Sequence, residues 1–321
     1  MLVHGTMILT DAVKTLLEIF MEDHRLKAFC LAIEMKSFSK AAEAKFMTQS
    51  AISHLVKKLE DELGVRLFIR KGKTVIPTPA GKLLYDHAKR ILEQFTKMED
   101  DLYALMQRVK GTLSIGADIT AATYLLPQVF YSFSKDYPEV KVDLSVSSAE
   151  TIMNGLREGK TEIGIFAGAI KKSSVFAEEI AEDEIVIIAS DDNPLAERKT
   201  LASQDLVSQP FIMPEAGSGL RELIDGFLLR IGMDPERIKV SMTLGNPELI
   251  VQMVQSGIGI SLVSKWSVFR AIKDGSVKLL NVPGKKLRRK FYLVSLEKES
   301  STLVAAKFRD FIKGYRFFVP L

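Results

Sequence analysis

The hydrophobic positions of this chain change period along its length. Between residues 24 and 64 they recur every three or four positions: Leu26, Phe29, Cys30 and Ile33, then Ile52, Val56, Leu59 and Leu63. That spacing predicts short amphipathic helices. The first runs roughly from Asp23 to Met35. The second begins near Ser39, with Ala41 and Ala42 small enough to let another helix approach closely. The third runs from Thr48, a good N-cap, to Leu63, with Gly64 as its stop. The stretch "VRLFIRKGKTVIPT" then reads as a hairpin with its tip at Lys71-Gly72-Lys73. Thr78 and Pro79 open a further helix as N-cap and N1.

From residue 84 the pattern becomes a seam: Leu84, Ala88, Ile91, Phe95, Met98, Leu102, Leu105 and Val109, at alternating steps of four and three. Sustained for nearly four heptads, it predicts a long helix that pairs with a second copy. After Gly111 apolar runs alternate with helical patterns. "TLSIGA", "VKVDLSV" and "EIGIFAG" read as strands and the segments between them as helices; "PFIMPE", "KVSMTLG" and "GISLVS" repeat the arrangement later. Each half is a βαβαβ unit with a mainly parallel sheet, so two lobes flank a cleft. "EIVIIAS" and "RRKFYLVSL" are the natural crossings between them, and "STLVAAKFRDFIKGY" reads as a helix returning to the first lobe.

Charge separates the two parts further. Residues 21–110 hold 17 basic and 12 acidic side chains, whereas residues 111–321 hold 26 of each; within 66–90 the ratio is seven to one. A small basic part on a neutral large one points to a polyanion partner for the small part. No run of 18 apolar residues is present, so no membrane span is expected. The single cysteine, Cys30, fits a reducing compartment and excludes an internal disulfide framework. Asp11, Lys14 and Glu18 interrupt the apolar start, which reads as a short extension rather than a targeting segment. A cytoplasmic protein is expected.

The polar residues at the start of the third helix now acquire a chemistry. Gln49, Ser50, Ser53 and His54 share one face, opposite Ile52 and Val56. Gln pairs with adenine, Ser with several base edges or phosphate, and His with a guanine acceptor. Lys57, Arg70, Lys71 and Lys73 are placed to anchor phosphates. Ser39 and Thr48, at the starts of their helices, complete the candidate DNA-contacting set.

Residues 23–110 resemble the N-terminal half of a LysR-type transcriptional regulator. The resemblance is carried by "LKAFCLAIEMKSFSKAAEAKFMTQSAISHLVKKLEDELGVRLFIRKGK" and by "TPAGKLLYDHAKRIL". The family commonly has Pro where Ser50 stands and Gln where Leu55 stands. The resemblance extends to the two-lobed part, over about 300 residues. It implies an N-terminal winged helix-turn-helix (21–78, after an extension at 1–20) and a long coiled-coil linker helix (79–110). An α/β two-lobed domain resembling periplasmic binding proteins (111–321) follows. It further implies double-stranded promoter DNA and a small-molecule effector as partners, a homodimer formed through the 84–109 seam with dimers often pairing into tetramers, and RNA polymerase as a further partner. No cofactor is expected.

In such sheets ligands lie beyond the carboxyl ends of the strands. Four strand-to-helix junctions carry small polar residues: Asp118 and Thr120, Ser147 and Ser148, Gly217-Ser218-Gly219, and Asn246. Helix N-termini there attract anions, although all these residue types are also common N-caps. Asp118 is a departure, since the family often carries Ser or Thr near it. Either it turns aside to bond backbone or the effector carries an amine or hydroxyl. Arg221 is an anion partner or points to solvent. Residues 111–321 contain no His or Cys, which removes His/Cys metal sites and His-dependent nucleophiles from this part. An enzyme is not expected. The competing class is a cytoplasmic solute-binding or carrier protein whose basic head binds something other than DNA.

Overall fold

The computed structural model describes residues 24–71, 74–105, 108–168, 170, 175–282, 286–296 and 302–317. They form two compact units that divide between Arg108 and Val109.

In the first unit, helices α1 (His24–Glu34), α2 (Phe38–Ala44) and α3 (Gln49–Leu63) enclose a core of Phe29, Ala41, Ala42, Ile52, Val56 and Leu59. Asp23 lies outside the described residues. The second helix starts at Phe38, one residue before Ser39, with Ser37 as its N-cap accepting from the Lys40 amide. Ser39 is an exposed first-turn residue. Thr48 caps α3 by accepting from the Ala51 amide, and Gly64 ends it at φ +67°. Between α2 and α3 the Met47 amide donates to the Ala42 carbonyl at 2.9 Å, with Phe46 left-handed at φ +53°.

The apolar stripe of α3 stops at Leu59. Leu63 is 48% exposed, and Glu60 is buried in its place. The Glu60 carboxylate has work there, since Oε1 accepts from the amides of Leu67 and Phe68 at 2.7 and 3.2 Å. That anchors the antiparallel hairpin of β1 (Phe68–Lys71) and β2 (Thr74–Pro77). Leu67, Phe68 and Val75 face the core, and Phe68 meets the rings of Phe29 and Phe38. Helix α4 (Pro79–Leu105) begins with Thr78 accepting from the Gly81 amide. Any Cβ at position 81 would collide with the Leu67 carbonyl, so glycine is required there. Leu84, Tyr85, Ala88 and Leu92 of α4 pack on the first unit's core. Ile91, Met98 and Leu105 are exposed at seven-residue intervals.

In the second unit, β3 (Gly111–Ala117) lies between β4 (Val140–Val146) and β5 (Ile163–Ala167), all three parallel. A π-helical turn (Ala121–Leu125) leads into α5 (Leu126–Asp136), where the sequence reads as one continuous helix. Helix α6 (Ala149–Arg157) covers the opposite face of this sheet. The long strand β6 (Phe176–Ser190) leaves the first lobe for the second. There α7 (Ser203–Val207), β7 (Pro210–Pro214), α8 (Gly219–Arg230), β8 (Lys239–Leu244), α9 (Pro247–Gln255), β9 (Ser261–Ser264), α10 (Lys265–Asp274) and β10 (Val277–Leu280) follow. Strand β11 (Leu287–Ser295) returns, and α11 (Leu303–Gly314) packs on the first lobe through Val304, Phe308 and Ile312.

One difference from the mainly parallel sheets expected of each lobe is systematic. A single seven-stranded sheet, ordered β10-β6-β11-β5-β3-β4 with β9 also on β6, runs through both lobes. Strand β6 is antiparallel to β9, β10 and β11. A strand that leaves a lobe and one that returns to it must point in opposite directions, so the crossings impose antiparallel pairing on the middle of the sheet. Parallel pairing survives in β5-β3-β4 at one end of this sheet and in the separate two-stranded sheet β7-β8 of the second lobe.

Candidate nucleic-acid interface and ligand cleft

In the first unit the N-terminal turns of α3 carry a set of polar side chains with no role in the core. Gln49, Ser50, His54, Lys57 and Lys58 are exposed and Ser53 is half-buried, while Ile52 and Val56 of the same helix are buried. The set is pre-arranged: Gln49 Nε2 donates to Ser53 Oγ at 3.3 Å, and the hydroxyls of Thr48 and Ser50 lie 3.0 Å apart. Amides, hydroxyls and an imidazole on one solvent face have the donors and acceptors needed for base edges and phosphates. Of the hairpin cations, Arg70 and Lys71 lie at the end of β1, opposite Val75 and Thr74 of β2. Lys73 lies outside the described residues. Glu60 is the residue of this region that sequence reasoning missed. Its signal was a charge in an apolar stripe, which a helix end tolerates only when the charge has partners.

In the second unit the four junctions fall into two neighbouring pairs. Strands β3 and β4 are adjacent and parallel, so Asp118, Thr120, Ser147 and Ser148 lie beyond the same edge of the first lobe. Strands β7 and β8 do the same for Gly217, Ser218, Gly219 and Asn246 in the second. The side chains are largely engaged as caps. Ser148 accepts from the Thr151 amide, Ser218 from the Arg221 amide, and Asn246 from the amides of Glu248 and Leu249. Asp118 does turn aside to backbone: its two oxygens accept from the amides of Ala121 and Ala167, each at 2.7 Å. Arg221 is held within its own lobe rather than pointing to solvent: its Nε donates to Asp225 at 2.9 Å and its Nη1 to the Pro214 carbonyl at 3.3 Å.

Thr120 behaves differently from these caps. It is buried, and its hydroxyl accepts from Arg289 Nη2 at 3.2 Å. Arg289 Nε donates to Asp183 Oδ2 at 2.8 Å, and Ser264 donates to Asp183 Oδ1 at 2.9 Å. The chain Thr120–Arg289–Asp183–Ser264 joins the first lobe, both crossing strands and the start of α10. Burial pushes the Asp183 carboxyl above its ordinary range, against the pull of Arg289 and Ser264. A second contact links the lobes: Tyr124 Oη donates to Glu248 Oε2 at 2.9 Å. Neither pair is legible in the sequence, because 106 and 124 residues separate the partners. Among the described residues no group of three or more His, Cys, Asp or Glu side chains is arranged to hold a metal ion, and no helix is long and apolar enough to cross a membrane.

Comparison with known proteins agrees with this division of the chain. Residues 24–82 match the model of bacterial regulatory helix-turn-helix proteins of the lysR family, and residues 106–316 match the LysR substrate binding domain. The HTH-type transcriptional regulator YeiE of Escherichia coli (strain K12), itself uncharacterised, is 30% identical over 287 residues, covering 89% of this chain and 95% of that protein. Full-length CbnR complexed with its target DNA shares the fold at a TM-score of 0.58 and 20% identity, over 90% of this chain and 98% of that one. The regulatory domain of Synechocystis PCC6803 CcmR in complex with 2-PG does so at a TM-score of 0.58 and 24% identity, over 64% of this chain and 96% of that one. The chain belongs to the LysR family of bacterial regulatory helix-turn-helix proteins, and is a DNA-binding transcriptional regulator that carries a small-molecule-binding domain.

Proposed function

We propose that this regulator reads promoter DNA with the exposed face of α3, using Gln49, Ser50, Ser53 and His54 on base edges and phosphates. Lys57, Arg70, Lys71 and Lys73 anchor the flanking phosphates, with Ser39 and Thr48 contributing backbone contacts. The observation that carries this reading is the exposed polar set Gln49, Ser50 and His54 on the N-terminal turns of α3, a helix whose Ile52 and Val56 are buried in the core. The exposed seam of Ile91, Met98 and Leu105 pairs two copies, so the operator is roughly palindromic. A small metabolite enters the cleft edged by Asp118, Thr120, Ser147, Ser148, Gly217, Ser218 and Asn246. With Asp118 engaged by backbone, the effector's charge is not restricted to amines. The protein works in the cytoplasm and acts by binding rather than by catalysis. The ligand shifts the placement of the DNA-reading heads only through its different affinities for the two arrangements.

The test is binding of the purified protein to its own upstream DNA at two salt concentrations, with scrambled DNA as competitor. Selective binding whose log affinity falls by about 0.9 per neutralised phosphate for each log unit of salt is the expected result. Salt-insensitive or nonselective binding by the folded protein would move the reading to the solute-binding class.

A further inference from the structure

We propose that Tyr124 and Glu248 form a latch across the mouth of the cleft, which holds the two lobes of the second unit together and which an effector must break or reinforce. The inference rests on the cleft being the effector site. Its observation is the hydrogen bond from Tyr124 Oη to Glu248 Oε2, between residues of different lobes.

Both partners are delivered by local backbone features at the starts of their helices. Tyr124 sits in the π-helical turn Ala121–Leu125, directly after Thr120 and ahead of the regular helix α5. A π-turn departs from the regular i→i−4 hydrogen-bond ladder and is frequent at functional sites. On the other side, Pro247 occupies the first turn of α9, and Asn246 holds the Glu248 amide at 2.8 Å. The backbone of Glu248 is thus fixed while its carboxylate reaches across the gap. Burial and the neighbouring Glu248 push the Tyr124 hydroxyl above its ordinary range, so it remains a donor throughout the physiological range.

The latch differs from the other polar link between the lobes described above. The Thr120–Arg289–Asp183–Ser264 chain lies on the crossing strands, with Arg289 and Asp183 7% and 0% exposed. It behaves as a permanent joint, because separating a buried pair leaves an unpaired charge. The latch has one partner, Glu248, that is exposed to water. A single hydrogen bond of that kind biases a closed-to-open ratio by roughly tenfold, which is within the reach of a metabolite's differential affinity.

The experiment uses the full chain with Cys30→Ala, spin labels on Gln128→Cys of α5 and Gln252→Cys of α9, both exposed positions on opposite lobes, and dilution into unlabelled chain so that only intrachain distances are read. The starting protein is expected to give a narrow distance distribution. Tyr124→Phe and Glu248→Ala are each expected to broaden it towards longer distances, and the double variant to go no further. Unchanged distributions in both single variants, or additive effects in the double, would overturn the latch. Equal far-UV circular dichroism and melting curves establish that the variants fold. Affinity for upstream DNA is measured on the same proteins. A distance shift with unaltered DNA affinity supports the latch and counts instead against cleft-to-DNA coupling, so the two readings fail separately.

Discussion

Arg289 on β11 stands directly opposite Asp183 on β6, in register, and the two side chains are bonded at 2.8 Å on the only two strands that cross between the lobes among the described residues. Both are nearly excluded from solvent, so each charge depends on the other. Removing one partner of such a buried pair costs about 3–5 kcal/mol, because the survivor is left uncompensated. Arg289→Ala should therefore lower the unfolding free energy by that order. Arg289→Met combined with Asp183→Leu, which removes both charges, should recover much of the loss. Urea denaturation of the two variants checks this. An equal loss in both would mean that packing, not charge, sets the energetics of the crossing.

Glu60 makes a related but smaller contribution in the first unit. Its carboxylate is the acceptor for the Leu67 and Phe68 amides at the root of the hairpin. Glu60→Ala leaves two buried donors without that acceptor and should cost about 1–3 kcal/mol. DNA affinity should fall as well, because the hairpin cations are then no longer held. A melting curve and a DNA titration of the same variant separate the two effects, and a stable variant with full affinity would remove Glu60 from the account.

Phe46 carries the opposite sign. It is 99% exposed and left-handed at φ +53°, a conformation that glycine adopts freely and that costs a side-chain-bearing residue about 1–2 kcal/mol. Phe46→Gly loses no buried surface and should raise the melting temperature, offset in part by the extra freedom of glycine in the unfolded chain. A clear fall in melting temperature would show that the ring makes a contact in the folded protein.

Cys30 provides a pH-dependent handle. Burial, chiefly, and the nearby Glu34 push its thiol from 9.0 up to about 12. The folded state therefore prefers the neutral thiol. The associated stability is fully present below pH 9 and is lost as pH rises from there towards 12. At pH 8 iodoacetamide should label the folded protein far more slowly than the unfolded one, since only the thiolate reacts. Comparable rates in native buffer and in urea would contradict the burial.

How much of this was legible in the sequence follows from the range of the interactions. The helices around Ile52, the hairpin, the long helix and both sets of strands follow from periodicity and caps, which are local signals. The Thr48 cap, the Gly64 stop and the crossings at β6 and β11 come from the same source. The start of α2 near Ser39 is legible to within one residue, and the structure adds that Ser37 is the cap, accepting from the Lys40 amide. The π-turn was invisible, since its composition is that of an ordinary helix. The antiparallel centre of the sheet, the Arg289–Asp183 pair and the Tyr124–Glu248 contact depend on which strands and lobes meet, and no local pattern carries that. The junction residues Ser148, Ser218 and Asn246 were identified by type, but the structure engages them as caps, so their type does not distinguish a cap from a ligand contact.

The long helix gives the last prediction, because its seam is divided between two tasks. Leu84 and Ala88 are used within the first unit, where Tyr85 of the same helix also donates to Glu34 of α1 at 2.9 Å. Beyond them Ile91, Met98 and Leu105 are exposed large hydrophobic residues, one heptad apart. An exposed apolar row of this kind is stable in water only when a partner helix takes it up. Met98→Glu places a charge in the middle of the row without touching the part that packs on the core. It should shift the protein to monomer in light scattering while leaving its melting transition for the second unit in place. Gln49→Ala supplies the contrast, since it should keep the oligomer and lose about 1–3 kcal/mol of specific DNA binding, with binding to scrambled DNA nearly unchanged. If Met98→Glu keeps both the oligomer and the DNA affinity of the parent, the seam does not pair two copies and the reading heads are held together by another surface.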